Sequence, residues 1–175
     1  KIANRIVILL CFNLVVAQAI GQDKSSSSPT VQTASGIVQG ITDGQIDVFK
    51  GIPYAAPPTG KFRWRPPQPV QSWQGVRDAS KFCSDCAQAA WSRGNDKIRE
   101  NTSEDCLFLN LWRPTNIKQR TKLPVMVWIY GGGFVGGGSS HAETSGTQFA
   151  GQGVILVNFN YRLGRLGHFA FPALS

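Results

Sequence analysis

Gly131-Gly-Gly-Phe-Val-Gly-Gly-Gly138 places six of the chain's 19 glycines in eight positions, directly after the apolar stretch Leu123–Tyr130. Glycine reaches φ > 0 without steric cost and lets backbone come close to a ligand. A glycine loop at the tip of a core strand can aim several N–H groups at one spot, as an anion or a developing oxyanion requires. Three uses compete for such a loop. A flexible linker is one, although linkers seldom start at the end of a core strand. Dinucleotide binding is the second, because Gly131-Gly-Gly133-Phe-Val-Gly136 satisfies G-x-G-x-x-G. That fingerprint should open a helix, yet Gly137, Gly138 and Ser139 follow, and no acid ends the next apolar run to hold a ribose. An oxyanion site at the end of a buried strand is the third.

Other reactive side chains are few. Cys83 and Cys86 have the C-x-x-C spacing of a redox pair or half a zinc site. A zinc site needs a second ligand pair, and the only histidines, His141 and His168, are not closely spaced, so no metal is expected. In a secreted protein such cysteines more often form a disulfide. With Cys106 they number three beyond residue 19, so one thiol is left over or pairs elsewhere. The nucleophile motif G-x-S-x-G does not occur. Gly137-Gly-Ser-Ser-His141 comes nearest and fails at its last position.

The elements that must position these residues can be read from pattern. Over 175 residues, 42% apolar positions and a net charge of +8 exclude a disordered polyelectrolyte, a collagen repeat and a multipass membrane protein. Lys1 and Arg5 precede the apolar run Ile6–Ala17, and Ala17-Gln-Ala19 gives a small-x-small cleavage pattern. Residues 1–19 thus read as a signal peptide, too short for a stable membrane span and pointing to a secreted or periplasmic protein. Without them, sixteen Lys and Arg face ten Asp and Glu, a charge of +6 scattered without a dense run. No nucleic-acid partner is expected.

Residues 20–30, with Ser25–Ser28, form a flexible lead-in. Val31–Gly40 and Gln45–Phe49 alternate around Thr42-Asp-Gly44 and predict an antiparallel hairpin. Residues 51–71 are a proline-rich surface loop and 87–105 a polar one. Leu123–Tyr130 and Gly153–Asn160 are nearly continuous apolar runs, the pattern of strands buried on both faces in an α/β sheet. A short helix is predicted between them, within Ala142–Ala150.

Val125-Met-Val-Trp-Ile-Tyr-Gly-Gly-Gly-Phe134 resembles the oxyanion-loop segment of the type-B carboxylesterase/lipase family, relatives of the cholinesterases. Three further segments resemble it in the right order: Phe49–Gly60 with Arg63–Pro69, Ser103-Glu-Asp-Cys-Leu-Phe-Leu-Asn110, and Asn160-Tyr-Arg-Leu-Gly164. The likeness covers residues 31–175. It implies the N-terminal part of an α/β-hydrolase fold: a central, mostly parallel mixed sheet flanked by helices and preceded by a small antiparallel hairpin. The chain is expected to be a fragment that stops before the nucleophile elbow.

By this resemblance Gly132 and Gly133 donate two oxyanion N–H groups, and the residue after the nucleophile donates the third. Cys86 and Cys106 match the family's disulfide pair, and Arg63 and Glu104 its salt bridge, all four in structural roles. The implied activity is that of a secreted serine-type carboxylic ester hydrolase working through an acyl-enzyme on small ester substrates, with no cofactor. Its Ser, acid and His would lie beyond Ser175, so His141 and His168 are assigned no catalytic role, and the fragment alone is expected to be inactive. The alternative is a cholinesterase-like adhesion or binding protein that has lost its nucleophile. Trp91 lies close to Cys86, whereas cholinesterases keep a cation-binding Trp nearer the second cysteine, so a quaternary-ammonium substrate is not expected.

Overall fold

The computed structural model describes residues 28–89, 98–115, 117–118 and 121–170. The signal-peptide segment 1–19, most of the lead-in and Trp91 lie outside these residues. Among the described residues the strands are β1 (Thr30–Gln32), β2 (Ile37–Gln39), β3 (Ile41–Asp43), β4 (Ile46–Pro53), β5 (Val76–Asp78), β6 (Asp85–Cys86), β7 (Thr102–Ser103), β8 (Phe108–Pro114), β9 (Val125–Trp128) and β10 (Ile155–Phe159). Two short helices, α1 (Thr147–Gly151) and α2 (Gly164–Gly167), follow β9 and β10. The strands make a small sheet ordered β1-β2-β5, a central sheet ordered β3-β4-β8-β10-β9, and the pair β6-β7.

An antiparallel hairpin exists as β3–β4, turning at Gly44-Gln45, but its first arm is Ile41–Asp43 and not the predicted 31–40. Residues 30–39 fold back on themselves as β1–β2. Local hydroxyl chemistry explains the fold-back: Thr33 Oγ1 donates to the Gly36 carbonyl at 2.7 Å and accepts the Ser35 N–H at 3.2 Å. Gly36 has φ +147°, and a Cβ there would lie 2.6 Å from Trp73 Nε1. Both needs are met only by glycine.

In the central sheet β4–β8, β3–β4 and β8–β10 are antiparallel, and β10–β9 is parallel. Within the described residues the sheet is therefore mixed and mainly antiparallel, with parallel pairing starting at β10. A bulge between Phe49 and Ile52 shifts the β4–β8 register. Gly51 carries it at φ +67°, with the Cys83 sulfur 2.6 Å from where a Cβ would stand.

One face of the sheet is apolar at one end and polar at the other. Trp112 pairs across with Val48 and Leu156, and together with Ile46 and Ala150 of α1 they form a buried cluster. Gly146 opens α1 hard against this face, where a Cβ would come within 2.7 Å of Leu156 Cβ. One pair along, Asn110 faces Asn158, and both are buried. β10 thus buries Leu156 and Asn158 on one face, with its other residues half-buried. β9 differs from the two-sided burial its composition suggests. As an edge strand it leaves Val125 59% and Val127 55% exposed, because no described residue covers it.

Cys86 and Cys106 are joined by a disulfide, with Cα atoms 4.9 Å apart, and Cys83 is a free thiol. The bond closes a loop across a sequence separation of 20 residues. In the chain-entropy account such a closure stabilises the fold by about 3 kcal/mol. Burial pushes the Cys83 thiol above its ordinary range, with Arg77 opposing. Native alkylation at pH 8 should therefore modify Cys83 more slowly than a cysteine in an unfolded peptide, and should spare Cys86 and Cys106. Peptide mapping checks this, and a Cys83–Cys106 bridge would refute the pairing. A Cys86→Ser/Cys106→Ser double variant should lose about 3 kcal/mol in denaturant unfolding.

Candidate active site at the glycine loop

β9 runs through Ile129 and Tyr130 into the glycine loop. Gly132, Gly133 and Gly137 have φ of +130°, +60° and +124°, and Phe134 is held at +62°. The turn closes on itself, with the N–H groups of Val135 and Gly136 donating to the Gly132 carbonyl at 3.1 and 3.2 Å. A Cβ on Gly132 would overlap the Gly136 carbonyl, so glycine is obligatory there, whereas at Gly133 the space is open. Among the described residues, no acceptor takes the N–H groups of Gly132 or Gly133. Both residues border an open cleft of about 500 Å³, together with Phe134, Phe159, Tyr161 and His168.

Three devices fix this loop. Tyr130 and Tyr161 stack with ring centres 4.4 Å apart, and each hydroxyl donates to the other's carbonyl, at 3.1 and 2.8 Å. Burial pushes the Tyr130 phenol above its ordinary range, which keeps it a donor. Gln88 then pairs with Gly137 as a strand would: its amide donates to the Gly137 carbonyl at 2.6 Å and accepts the Gly137 N–H at 2.9 Å. Gln88 lies two residues past the disulfide Cys86, so the cross-link anchors the clamp.

The third device is a buried polar knot at Ser139. Asn160 Oδ1 accepts both the N–H and the hydroxyl of Ser139 at 2.9 Å. Asn110 Nδ2 donates to Asn158 Oδ1 at 2.8 Å and lies 3.2 Å from Ser139 Oγ. Asn158 Nδ2 reaches the Thr144 carbonyl at 3.0 Å, and Asn110 Oδ1 accepts the N–H of bulge residue Gly51 at 2.9 Å. Such groups carry a penalty of about 1–3 kcal/mol each if buried without partners, so the network holds only when complete.

Arg63 and Glu104 form a two-point salt bridge, Nε–Oε2 at 2.6 Å and Nη2–Oε1 at 2.7 Å. Part-exposed and screened by solvent, it contributes little to stability. It stands beside the disulfide, and none of Arg63, Cys86, Glu104 and Cys106 lines the cleft. His141 is also outside the cleft, its Nε2 lying 3.2 Å from Arg99 Nη2 and 3.7 Å from Asp85 Oδ2. His168 does border it, packed against Phe134 at 4.6 Å between ring centres. Asn110 and Asn160 stand at the ends of segments that carry the family resemblance, but sequence assigns no role to them, to Asn158 or to Gln88. Their signal was present: Asn158 and Asn160 are polar residues two apart in an otherwise apolar strand. Among the described residues no cluster of His, Cys, Asp and Glu fits a metal ion.

Residues 27–173 match the Carboxylesterase family. Fumonisin B1 esterase of Sphingopyxis macrogoltabida is 48% identical over 148 residues, which cover 82% of this chain and 26% of that protein. Cholinesterase of Mus musculus is 37% identical over 175 residues, 93% of this chain and 29% of that protein. Among solved structures, a PNB esterase superposes with a TM-score of 0.75 at 37% identity, covering 83% of this chain and 30% of that one. The chain thus spans about a quarter to a third of the length of the relatives it matches. These neighbours share the α/β-hydrolase fold, of which the mixed central sheet, α1 and the glycine loop are a part. The chain belongs to the carboxylesterase family.

Proposed function

We propose that the whole protein is a secreted or periplasmic serine-type carboxylic ester hydrolase, and that the N–H groups of Gly132 and Gly133 stabilise its oxyanion. The unclaimed N–H groups of these two glycines, at the rim of an open cleft, carry the reading. A serine from another part of the protein attacks the ester carbonyl, and negative charge gathers on the carbonyl oxygen. Fixed backbone donors meet that charge without reorganising. The tetrahedral adduct then expels the alcohol, leaving an acyl-enzyme that water hydrolyses. The disulfide and the pattern of residues 1–19 support an extracytoplasmic location.

The 175 residues hold no G-x-S-x-G serine, so this stretch by itself should hydrolyse no p-nitrophenyl acetate above background. The whole protein should turn it over, and inertness with the fold intact would favour the adhesion or binding alternative.

The two glycines should respond differently to a methyl group. Gly133→Ala meets no atom within 4 Å and bears only the left-handed strain, about 1–2 kcal/mol. Gly132→Ala collides with the Gly136 carbonyl and should lose far more activity. Comparable kcat for the two variants would refute this geometry.

Proline cannot test the donor itself, since its ring holds φ near about −65° and Gly133 sits at +60°. Replacing Gly133 by glycolic acid deletes the N–H and keeps the shape. We expect kcat to fall by roughly 10²–10³ with little change in KM, because the bond tightens in the transition state. Unchanged kcat would show that Gly133 is not an oxyanion donor.

A further inference from the structure

A second hollow, of about 600 Å³, lies between the proline-rich loop and the small sheet, and shares no lining residue with the glycine cleft. Its size falls within the range of about 300–1,000 Å³ typical of small-molecule sites. Phe62, Trp73 and Phe108 supply apolar wall, and Lys61, Arg77 and Asp105 bring charge to it. Arg77 comes from β5, the edge of the small sheet, and its guanidinium lies 5.4 Å from the centre of the Trp73 ring. Among the described residues it makes no ion pair within 4.0 Å and donates no side-chain hydrogen bond.

In the same lining, the Asp105 backbone N–H is held by Ser103 Oγ at 3.1 Å, while the carboxyl group accepts nothing among the described residues. Burial pushes that carboxyl up, and Arg77 pulls it down, so the two groups sense each other without touching. Lys61 is taken up by the ring of its neighbour Phe62, 5.1 Å away. The hollow thus combines a fork-shaped cation, a carboxyl group and aromatic side chains. A purely apolar guest would leave Arg77 desolvated and unpaired, and a bare carboxylate would also face Asp105. Only a guest bearing both an anion and a hydrogen-bond donor satisfies both groups.

We propose that this hollow binds a small aromatic carboxylic acid with an amino or hydroxyl group beside the carboxylate. The carboxylate pairs with Arg77, the adjacent donor with Asp105, and the ring lies against Trp73 and Phe108. This site is separate from the ester-hydrolysis reading and stands or falls without it.

Fluorine NMR line-broadening titrations on the full-length protein test it, with 4-fluorophenylalanine, 4-fluorophenyllactate and 3-(4-fluorophenyl)propionate as probes. At least one of the first two should bind saturably, and the comparison between them tells amino from hydroxyl. The propionate, lacking the donor, should bind at least about fivefold more weakly. Arg77→Gln should weaken binding by about tenfold or more. Asp105→Asn should shrink the advantage of the donor-bearing probe. Ser72→Trp, a change at an exposed lining residue, should block the hollow without disturbing the core, and it decides the matter if Arg77→Gln fails to fold. The proposal is overturned by absence of saturable broadening with all three probes, by equal binding of the propionate, or by binding that survives both Arg77→Gln and Ser72→Trp.

Discussion

The side chains of Asn110, Asn158 and Asn160 close around Ser139 where the glycine loop returns to the central sheet. Neutral amides suit this position because each offers donors and an acceptor without the desolvation penalty of a buried charge. They also tie the loop to the strands around it. Asn110 holds the β4 bulge through Gly51, and Asn160 reaches back to the Ser84 carbonyl beside β6. The loop that presents Gly132 and Gly133 is therefore rooted in strands rather than in its own sequence.

From that root the remaining supports fall into a hierarchy. Gln88 fixes Gly137 through two short hydrogen bonds, and its own place follows from the disulfide two residues earlier. The stacked tyrosines hold the other end, where β9 stops. Arg63 and Glu104 act further out, on the loop around the cross-link. Both ends of the loop are thus held, as the proposed oxyanion role of its glycines requires of donors that act without reorganising.

Much of this was legible from residue type and spacing. The apolar runs at 123–130 and 153–160 marked β9 and β10, Gly44 marked the β3–β4 turn, and six glycines in eight positions marked the loop. The fold-back at 33–36 was not legible, because alternation continues through it and the deciding interactions are a Thr hydroxyl and a distant Trp73. β9 has the composition of a buried strand, and among the described residues, which span only about a quarter to a third of the relatives' length, nothing covers it. The knot was hidden for another reason. Asparagine is a poor strand former, so its presence in β8 and β10 reads locally as a weakness. Its partners lie 14 to 76 residues away, most of them beyond any window of pattern.

That separation bears on how the loop is made. Eight residues with six glycines have almost no conformational preference of their own, and ordering them carries a large entropy cost. The compensating bonds become available only after β4, β8 and β10 have aligned, and the Tyr54 hydroxyl that reaches the Asn160 carbonyl spans 106 positions. Contacts of such range form slowly and together. The donor geometry should therefore be among the last features to appear in refolding, arriving with the sheet register rather than before it.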